Sequence, residues 1–330
     1  MAGKFAPVAR LSRESRSHSR AMITRTFLVG NDMIAGAMSN ATVPSTSYVM
    51  SYLDIFRRGS TRKNRPTVVV FAGGMGTQII SAAVYFSIKH AERPVFADVS
   101  YFDVPERLAV AGNAGQLTHW GWQLDPFGLP REAFDTKDGL TERNAEMLFD
   151  GPRKLELSLK ALAEPEIQSL FKIPAGVKDI LPAGFPNNVL CMHVRRGDYV
   201  NVASHLIADG EFVRLARRFA GLADHVVVLS DSPIGSDFRG AVSPLFKEVL
   251  FLDDIDAFAA HRIMRSASIL ICSNSTFSLT AAVLNSSGLA IVPKQWYEGG
   301  DRHLEAAIHA RCPFQIMETG SSVAVSAGEP

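Results

Sequence analysis

The stretch TVVVFAGGMGTQIISAAVYFSIKHAERPVFAD (residues 67–98) constrains the fold of this chain most. It begins with a β-branched run, turns through Gly73, Gly74 and Gly76, shows a helical pattern over 78–89, and ends in a second apolar run. This order predicts a βαβ unit with two parallel strands and a right-handed crossover. Both runs are continuously apolar rather than alternating, which indicates a sheet that is covered on both faces.

A second series of alternating strands and helices follows the proline-containing stretch LPAGFPNN (181–188). Its segments are VLCMHV, DGEFVRLARRFAGL, HVVVLSD, EVLFLD, DAFAAHRIMRSA, SILICS and LAIVP. We therefore predict an α/β protein with two Rossmann-like domains, 66–183 and 184–316, and a flexible tail over 317–330. Between 104 and 183 the pattern is mixed, and ERNAEMLFD and KLELSLKALAE look helical. Ligands of such sheets bind at the carboxyl ends of the strands.

The charge distribution separates the first 66 residues from the rest. They contain eleven Lys or Arg against three acids, so that with a total of +1 the remaining chain carries about −7. A nucleic-acid-binding domain would place positive charge on its folded part, so this class is disfavoured. We predict that 1–65 is a disordered basic extension, from an over-long gene start or, as the alternative, an Arg- and Ser-rich mitochondrial presequence.

Several compositional features bear on location and partners. No run of eighteen apolar residues is present, so we expect no membrane span. The stretch SYVMSYLDIF, followed by five basic residues, offers a weak peripheral contact with an anionic membrane, although a solvated linker explains it equally well. Three scattered cysteines (Cys191, Cys272 and Cys312) favour a reducing compartment and argue against a zinc site.

The glycine-rich turn has two functional interpretations and one purely structural one. Small residues before a helix let the backbone approach a phosphate, which the free N–H groups of the helix start can bind. The spacing is G-G-x-G-x-Q, and Ile79 stands where the third glycine of a dinucleotide motif would fall. Asp98 ends the next strand near the position of a ribose-binding acid, which keeps an NAD site as an alternative. Tight packing alone is the remaining explanation.

The segment CMHVRRGDYV (191–200) runs from a buried strand directly into two arginines. Paired guanidinium groups suit a diphosphate, because they stay charged and bind phosphate through a planar fork. Side chains alternate along a strand, so Arg195 is the better ligand candidate and Arg196 the brace of the loop. A structural salt bridge is the alternative, and an adhesion Arg-Gly-Asp fits poorly next to a buried strand.

Three neighbours of these arginines complete the cluster. His193 shares the face of Arg195, and by itself a histidine there is more often a satisfied core residue. Gly197 permits a turn, and Asp198 can orient an arginine or accept from backbone donors. A charged cluster at the carboxyl end of a strand favours ligand binding over a purely structural role.

Two further segments have a structural and a functional interpretation. CSNSTFSLTAAVLN (272–285) ends a strand with helix-capping residues, and the same cluster could present hydroxyl and N–H groups to a phosphate. Asp254-Ile255-Asp256 has the D-x-D pattern of metal chelators, but it precedes a helix, where acids favour the helix dipole. We expect no metal site there.

Four motifs, in order, resemble those of glycosyltransferase family 11, the α-1,2-fucosyltransferases. G-G-L-G-N-Q corresponds to 73–78, H-x-R-R-G-D-Y to 193–199, N-S-T-F-S-W-W to 274–280 and P-K-x-W to 293–296. The departures from the family pattern that matter are Thr77, which replaces an asparagine, and Leu279 and Thr280, which replace two tryptophans of the third motif. The tryptophan replacements bear on local packing and on the acceptor pocket.

The resemblance implies a GT-B-like fold with the site in the crevice between the domains, and metal-independent, inverting transfer of L-fucose from GDP-fucose. The acceptor would be a hydroxyl of a glycan, typically the galactose 2-hydroxyl. A cytoplasmic enzyme acting on lipid-linked polysaccharide precursors fits the composition; the oligomeric state is not predicted. The alternatives are an NAD- or nucleotide-sugar-dependent oxidoreductase and a non-catalytic nucleotide-sugar- or glycan-binding member of the fold.

Arg195 is our candidate for the diphosphate, and Asp198 and His193 are the candidates for catalytic proton transfer. The predicted donor-binding residues are Gly73, Gly74, Gly76, Gln78, Arg195, Arg196, Gly197, Ser230, Asp231, Asn274, Ser275, Thr276 and Phe277.

Overall fold

A computed structural model describes residues 65–103, 121–175, 181–182, 189–197, 199, 205–253, 255–285, 288–293, 308 and 314–317. All of them belong to one compact unit, Thr61–Pro330. The predicted basic extension up to residue 64, its membrane-contacting stretch and the tail after 317 lie outside the described residues, as does the P-K-x-W motif beyond Pro293.

The first sheet contains the predicted βαβ unit, which is confirmed. Strand β1 (Thr67–Val70) leads into helix α1 (Met75–His90) and strand β2 (Val95–Asp98), and both β2 and β3 (Glu146–Leu148) pair with β1 in parallel. The order in the sheet is β2-β1-β3. Helix α1 begins three residues earlier than its apolar pattern because Gln78 N–H already donates to Gly74 O (3.0 Å).

The prediction that the segment ERNAEMLFD is helical is wrong. Residues 146–148 form β3, in register with 67–69 of β1. The helix starts only after Gly151, with Pro152 in its first turn. Pairing with a buried strand outweighs the weak helical preference of a short segment. The second segment is helical as predicted, and it forms α2 (Pro152–Ala161), which α3 (Pro165–Leu170) follows.

The second sheet is larger and entirely parallel. Its strands are β4 (Val189–Val194), β5 (His225–Ser230), β6 (Glu248–Leu252), β7 (Ile269–Ile271), β8 (Leu289–Pro293) and β9 (Phe314–Met317). The helices between them are α4 (Asp209–Phe219), α5 (Ser236–Val242), α6 (Ala257–Ser266) and α7 (Thr276–Leu284). The spatial order is β6-β5-β4-β7-β8-β9. This is the doubly wound order, in which the chain reverses direction between β4 and β7.

Helices cover both faces of this sheet, as the continuous apolar strands predicted. On one face Leu190 and Met192 of β4 share a buried cluster with Phe212 of α4. On the other face Val189 and Cys191 belong to the cluster that includes α6 and α7. The predicted α/β class with two parallel, Rossmann-like sheets is confirmed.

The two sheets share part of their core. Ile80 of α1 and Leu155 of α2 are buried in the same cluster as β4 and β7. Arg265 of α6 donates to Phe171 O, just beyond α3, at 2.6 Å. These contacts fix the first-sheet helices against the second half of the chain. Among the described helices, none combines the length and hydropathy needed to cross a bilayer.

Candidate functional site

The carboxyl ends of β4 and β7 meet at the point where the strand order of the second sheet reverses. His193, the fifth residue of β4, is buried, and its Nδ1 lies 2.8 Å from Ser273 Oγ beyond β7. This hydrogen bond joins the arginine loop to the Ser-Asn-Ser-Thr turn. A crevice outside such a switch point is where doubly wound sheets bind their ligands.

Arg195 lies at this edge, partly exposed and held by an ion pair. Its Nη1 is 2.8 Å from Asp231 Oδ2, and 20% of its side chain is exposed. The guanidinium carbon lies 5.2 Å from the centre of the Tyr199 ring, a cation–π distance. The salt bridge predicted as an alternative therefore exists, and it fixes the guanidinium at the strand end rather than removing it from solvent.

Arg196 has different partners from Arg195 and packs against α4. Its guanidinium donates to Arg195 O (2.9 Å) and to the Asp209 carboxylate at the start of α4. It also lies 5.7 Å from the centre of the Phe212 ring. These contacts tie the loop to α4, and they suit a brace better than a ligand contact.

The turn after the arginines depends on Gly197 and on the end of β5. Gly197 has φ +20°, and a Cβ there would lie 2.4 Å from Asp231 Oδ2. Its N–H donates to Ser232 Oγ (3.1 Å), and Ser232 N–H donates to Ser230 Oγ (3.2 Å). Only glycine fits this position. Asp198, our other candidate for proton transfer, lies outside the described residues.

Asp231 organises the arginine loop. One carboxylate oxygen pairs with Arg195, and the other accepts the Arg196 backbone N–H at 2.8 Å. Its side chain is 8% exposed. Sequence analysis placed Ser230 and Asp231 among the donor-binding residues; the structure shows them positioning the loop that carries the arginines.

The Ser-Asn-Ser-Thr turn begins helix α7. Ser275 is the N-cap, and its Oγ accepts from Phe277 N–H (3.3 Å). Ser278 Oγ donates to Ser273 O (3.1 Å), and Asn274 is 2% exposed. The capping interpretation is therefore correct, and it places the amino end of α7, with its partial positive charge, after the end of β7.

The glycine-rich turn of the first sheet meets this helix start directly. A Cβ on Gly76 would lie 2.4 Å from Phe277 N and 2.5 Å from Phe277 Cα. Thr77 Oγ1 lies 3.3 Å from Thr276 Oγ1. Gly73, with φ +67°, supplies the left-handed turn that starts α1. The amino ends of α1 and α7 therefore lie side by side, and both contribute positive electrostatic potential.

Gln78 is fully engaged with the backbone. Its Nε2 donates to Gly73 O and to Gly121 O, both at 2.8 Å, and its Oε1 accepts from Gln123 N–H at 2.8 Å. The side chain is buried. Although it was predicted among the donor-binding residues, its amide holds the glycine turn against the loop at 121–123.

The two residues that depart from the tryptophan motif lie in the core. Leu279 is fully buried in the cluster that covers the second sheet, and Thr280 Oγ1 donates to Phe277 O (3.0 Å). Thr280 Oγ1 also lies 3.3 Å from Nε2 of the buried His261. These positions therefore affect local packing under α7, and their side chains are not presented at the edge of the sheet.

His261 is fully buried next to this motif, with its ring centre 5.4 Å from that of Phe277. Burial, reinforced by the nearby Arg265 and His193, lowers the pKa of His261 well below its ordinary value of 6.5. Below pH 6.5 the unfolded chain therefore binds a proton at this position that the native protein does not.

We expect His261 to make the native state less stable as the pH falls below about 6.5, with a slope of up to about 1.4 kcal/mol per pH unit. Urea unfolding of the wild type and of His261→Gln at pH 7.5, 6.5 and 5.5 measures this slope. The variant should lose less stability on acidification. His225→Gln is the control, since that side chain is 26% exposed. Parallel pH dependence of wild type and His261→Gln would contradict the assignment.

Some residues of the metal and NAD alternatives have structural partners. Asp256 caps α6, accepting from Ala259 N–H at 2.9 Å, while Asp254 is not among the described residues. Within the described ranges no three His, Cys, Asp or Glu side chains come together as metal ligands. Asp98 Oδ1 accepts from Ser100 N–H (3.0 Å), and Ile79 is buried in the first core. Metal independence stays a prediction.

No protein-family model matches the chain. No curated protein is significantly similar to it in sequence. The resemblance to family 11 therefore stays a prediction.

Solved structures with a similar fold include that of POFUT1 in complex with GDP-fucose: TM-score 0.42, 12% identity, covering 70% of this chain and 98% of that one. E. coli heptosyltransferase WaaC with ADP has TM-score 0.37 and 12% identity over 71% of this chain and 89% of that one. E. coli ADP-heptose lps heptosyltransferase II has TM-score 0.39 and 10% identity over 72% and 87%. Likenesses this distant do not decide the activity of this chain.

Proposed function

We propose that this protein is an inverting glycosyltransferase that transfers L-fucose from GDP-fucose to a glycan hydroxyl, the galactose 2-hydroxyl being the expected acceptor group. One observation carries the proposal: a partly exposed arginine, Arg195, follows the end of β4 in a doubly wound sheet, where His193 of the same strand is hydrogen-bonded to the turn before α7 and the start of α7 meets that of α1. A fixed cation and two helix starts form an environment for a diphosphate.

The chemistry that this environment supports is the departure of a nucleoside diphosphate. The acceptor oxygen attacks the anomeric carbon, the bond from that carbon to the diphosphate oxygen breaks, and its electron pair leaves with GDP. Arg195 and the first-turn N–H groups of α7 would stabilise the negative charge that develops on the diphosphate. Asp231 and Arg196 take no part in this step; their contacts hold the loop that carries Arg195 in place. The acceptor hydroxyl must also lose its proton, for which His193 and Asp198 are our sequence-based candidates.

The position of His193 bears on that role. Its imidazole is 4% exposed and bonded to Ser273 Oγ, with the Phe277 ring centre at 5.5 Å. These contacts support a part in joining β4 to β7. The base that removes the proton from the acceptor hydroxyl must be an ionisable side chain that the acceptor can reach, and the buried His193 fits this requirement poorly.

The proposal is tested by calorimetric titration with GDP-fucose, GDP-mannose, UDP-galactose and NAD, followed by a transfer assay with radiolabelled GDP-fucose. We expect GDP-fucose to bind without added metal, and linkage analysis of the product after an acceptor screen to show an α-1,2 bond to galactose. Lipid-linked polysaccharide precursors belong in that screen, because a cytoplasmic enzyme of surface-polysaccharide synthesis would use them.

The same two assays distinguish the two alternative functions. Binding of NAD without any GDP-sugar would favour an oxidoreductase and contradict the proposal. Binding of GDP-fucose without hydrolysis or transfer across the whole acceptor screen would indicate a non-catalytic member of the fold.

A further inference from the structure

A buried lysine joins the two sides of the glycine-rich turn. Lys154 lies in the first turn of α2, and only 2% of its side chain is exposed. Its Nζ donates to Val70 O at the end of β1 (2.8 Å) and to Ser81 Oγ of α1 (2.9 Å). Val70 precedes the turn and Ser81 follows it. The ammonium group therefore holds both the strand that enters the turn and the helix that leaves it.

Further contacts lead from Lys154 to the place where α1 meets α7. Ser81 is fully buried, and its Oγ, which accepts from Lys154, donates to Thr77 O at 3.0 Å. Thr77 is in the first turn of α1, and its Oγ1 lies 3.3 Å from Oγ1 of Thr276, the first residue of α7. Hydrogen bonds through Ser81 and Thr77 therefore link the lysine to the paired helix starts to which we assign diphosphate binding.

Stability alone does not account for a lysine at this position. Burial lowers the pKa of Lys154 below its ordinary value of 10.5, and the half-exposed Asp150 carboxylate, which pairs with Nζ, opposes that shift. A cation in the first turn of a helix also lies at the unfavourable end of the helix dipole. Apolar replacement of buried charges is often neutral or stabilising, so a methionine of similar length would fill this space without either penalty. It could not, however, bond to both sides of the turn.

We propose that Lys154 is a positioning residue for donor binding, which fixes the glycine-rich turn, and with it the amino end of α1, through the end of β1 and Ser81. The N–H groups of a helix start bind a phosphate only when the turn before the helix places them correctly, and a misplacement of about 1 Å can reduce a rate roughly 100-fold. Asp150 supports this role by favouring the charged form of the lysine. The inference rests on the proposed function, because the positioned ligand is GDP-fucose.

The test measures the affinity for GDP-fucose by calorimetry in wild type, Lys154→Met, Ser81→Ala and the double variant. We expect Lys154→Met to bind roughly ten-fold more weakly and Ser81→Ala about three-fold more weakly. The double variant should stay within about two-fold of Lys154→Met, because the two side chains act in one chain of contacts. Ser81→Ala keeps the buried charge but breaks the link, so its loss of affinity separates positioning from the electric field of the lysine.

Two further measurements distinguish positioning from a general structural role. Guanosine lacks the diphosphate, so Lys154→Met should bind it within about two-fold of wild type. The melting temperature of Lys154→Met should stay within about 5 °C of wild type, because the Asp150 carboxylate left behind is 48% exposed and remains hydrated. Lys160→Met is the matched control. Lys160 lies on the same helix and also pairs with an acid four residues earlier, Glu156, but its side chain is 34% exposed. This variant should bind GDP-fucose within about two-fold of wild type.

The positioning role and the proposed function fail in different ways. If wild type binds GDP-fucose and Lys154→Met binds it equally well, the positioning role is wrong and the donor assignment stands. An equal loss of affinity for guanosine, or an equal effect of Lys160→Met, has the same meaning. If Lys154→Met does not fold, Ser81→Ala decides, and wild-type affinity in that variant would contradict the positioning role. Absence of GDP-fucose binding by the wild type would overturn the proposed function and this inference with it.

Discussion

Replacement of Arg195 by alanine is expected to weaken GDP-fucose binding by at least about 100-fold, because two charge-assisted hydrogen bonds to a diphosphate contribute roughly 1.5–3 kcal/mol each. The side chain is partly exposed, and its removal leaves Asp231 with the Arg196 N–H as a donor. We therefore expect a loss of stability of only about 1–3 kcal/mol. Calorimetry with GDP-fucose and a thermal melt of each protein measure the two effects separately.

Asp231→Asn is the matched variant, since it breaks the same ion pair but leaves the guanidinium in place. It should keep GDP-fucose binding within about ten-fold of wild type, because the lost partner positions the arginine and does not contact the ligand. If Asp231→Asn weakens binding as much as Arg195→Ala, the ion pair itself is what matters. If Arg195→Ala unfolds, or binds GDP-fucose normally, Arg195 is a structural residue and the donor assignment is wrong.

Local patterns predicted the fold well where a pattern and its partner lie close together. The βαβ unit at 67–98 and the parallel strands both follow from apolar runs and the turns between them. The segment 142–150 was misassigned because three residues of strand carry too little periodicity, and the pairing with β1 decides their conformation.

The site was predictable at the level of motifs but not of individual roles. Asp231 and Gln78 were both predicted to bind the donor, yet their polar atoms have partners in the arginine loop and in the backbone at 73 and 121. Such partners are distant in sequence, and only the fold brings them together. The burial of Lys154 of α2 gave no signal in the sequence either, because its Nζ donates to Val70 O at the end of β1 and to Ser81 Oγ of α1, both distant along the chain.

Replacement of Gly76 by alanine is expected to be the most destabilising of the changes considered. The added Cβ would lie 2.4–2.5 Å from three backbone atoms of Thr276 and Phe277, and backbone cannot give way as a flexible side chain can. We expect a loss of about 3 kcal/mol, at the upper end of overpacking in a core, or roughly 6–12 °C in melting temperature.

Gly210→Ala separates this clash from the general effect of a glycine replacement. Gly210 is the second residue of α4 as Gly76 is of α1, and a Cβ there meets nothing within 4 Å. That variant should melt at or slightly above the wild-type temperature, because alanine favours helix and restricts the unfolded chain. If the two variants melt together, the amino ends of α1 and α7 are not in contact. The paired helix starts on which the diphosphate site depends would then be lost, because Gly76 is the residue whose missing side chain lets them meet.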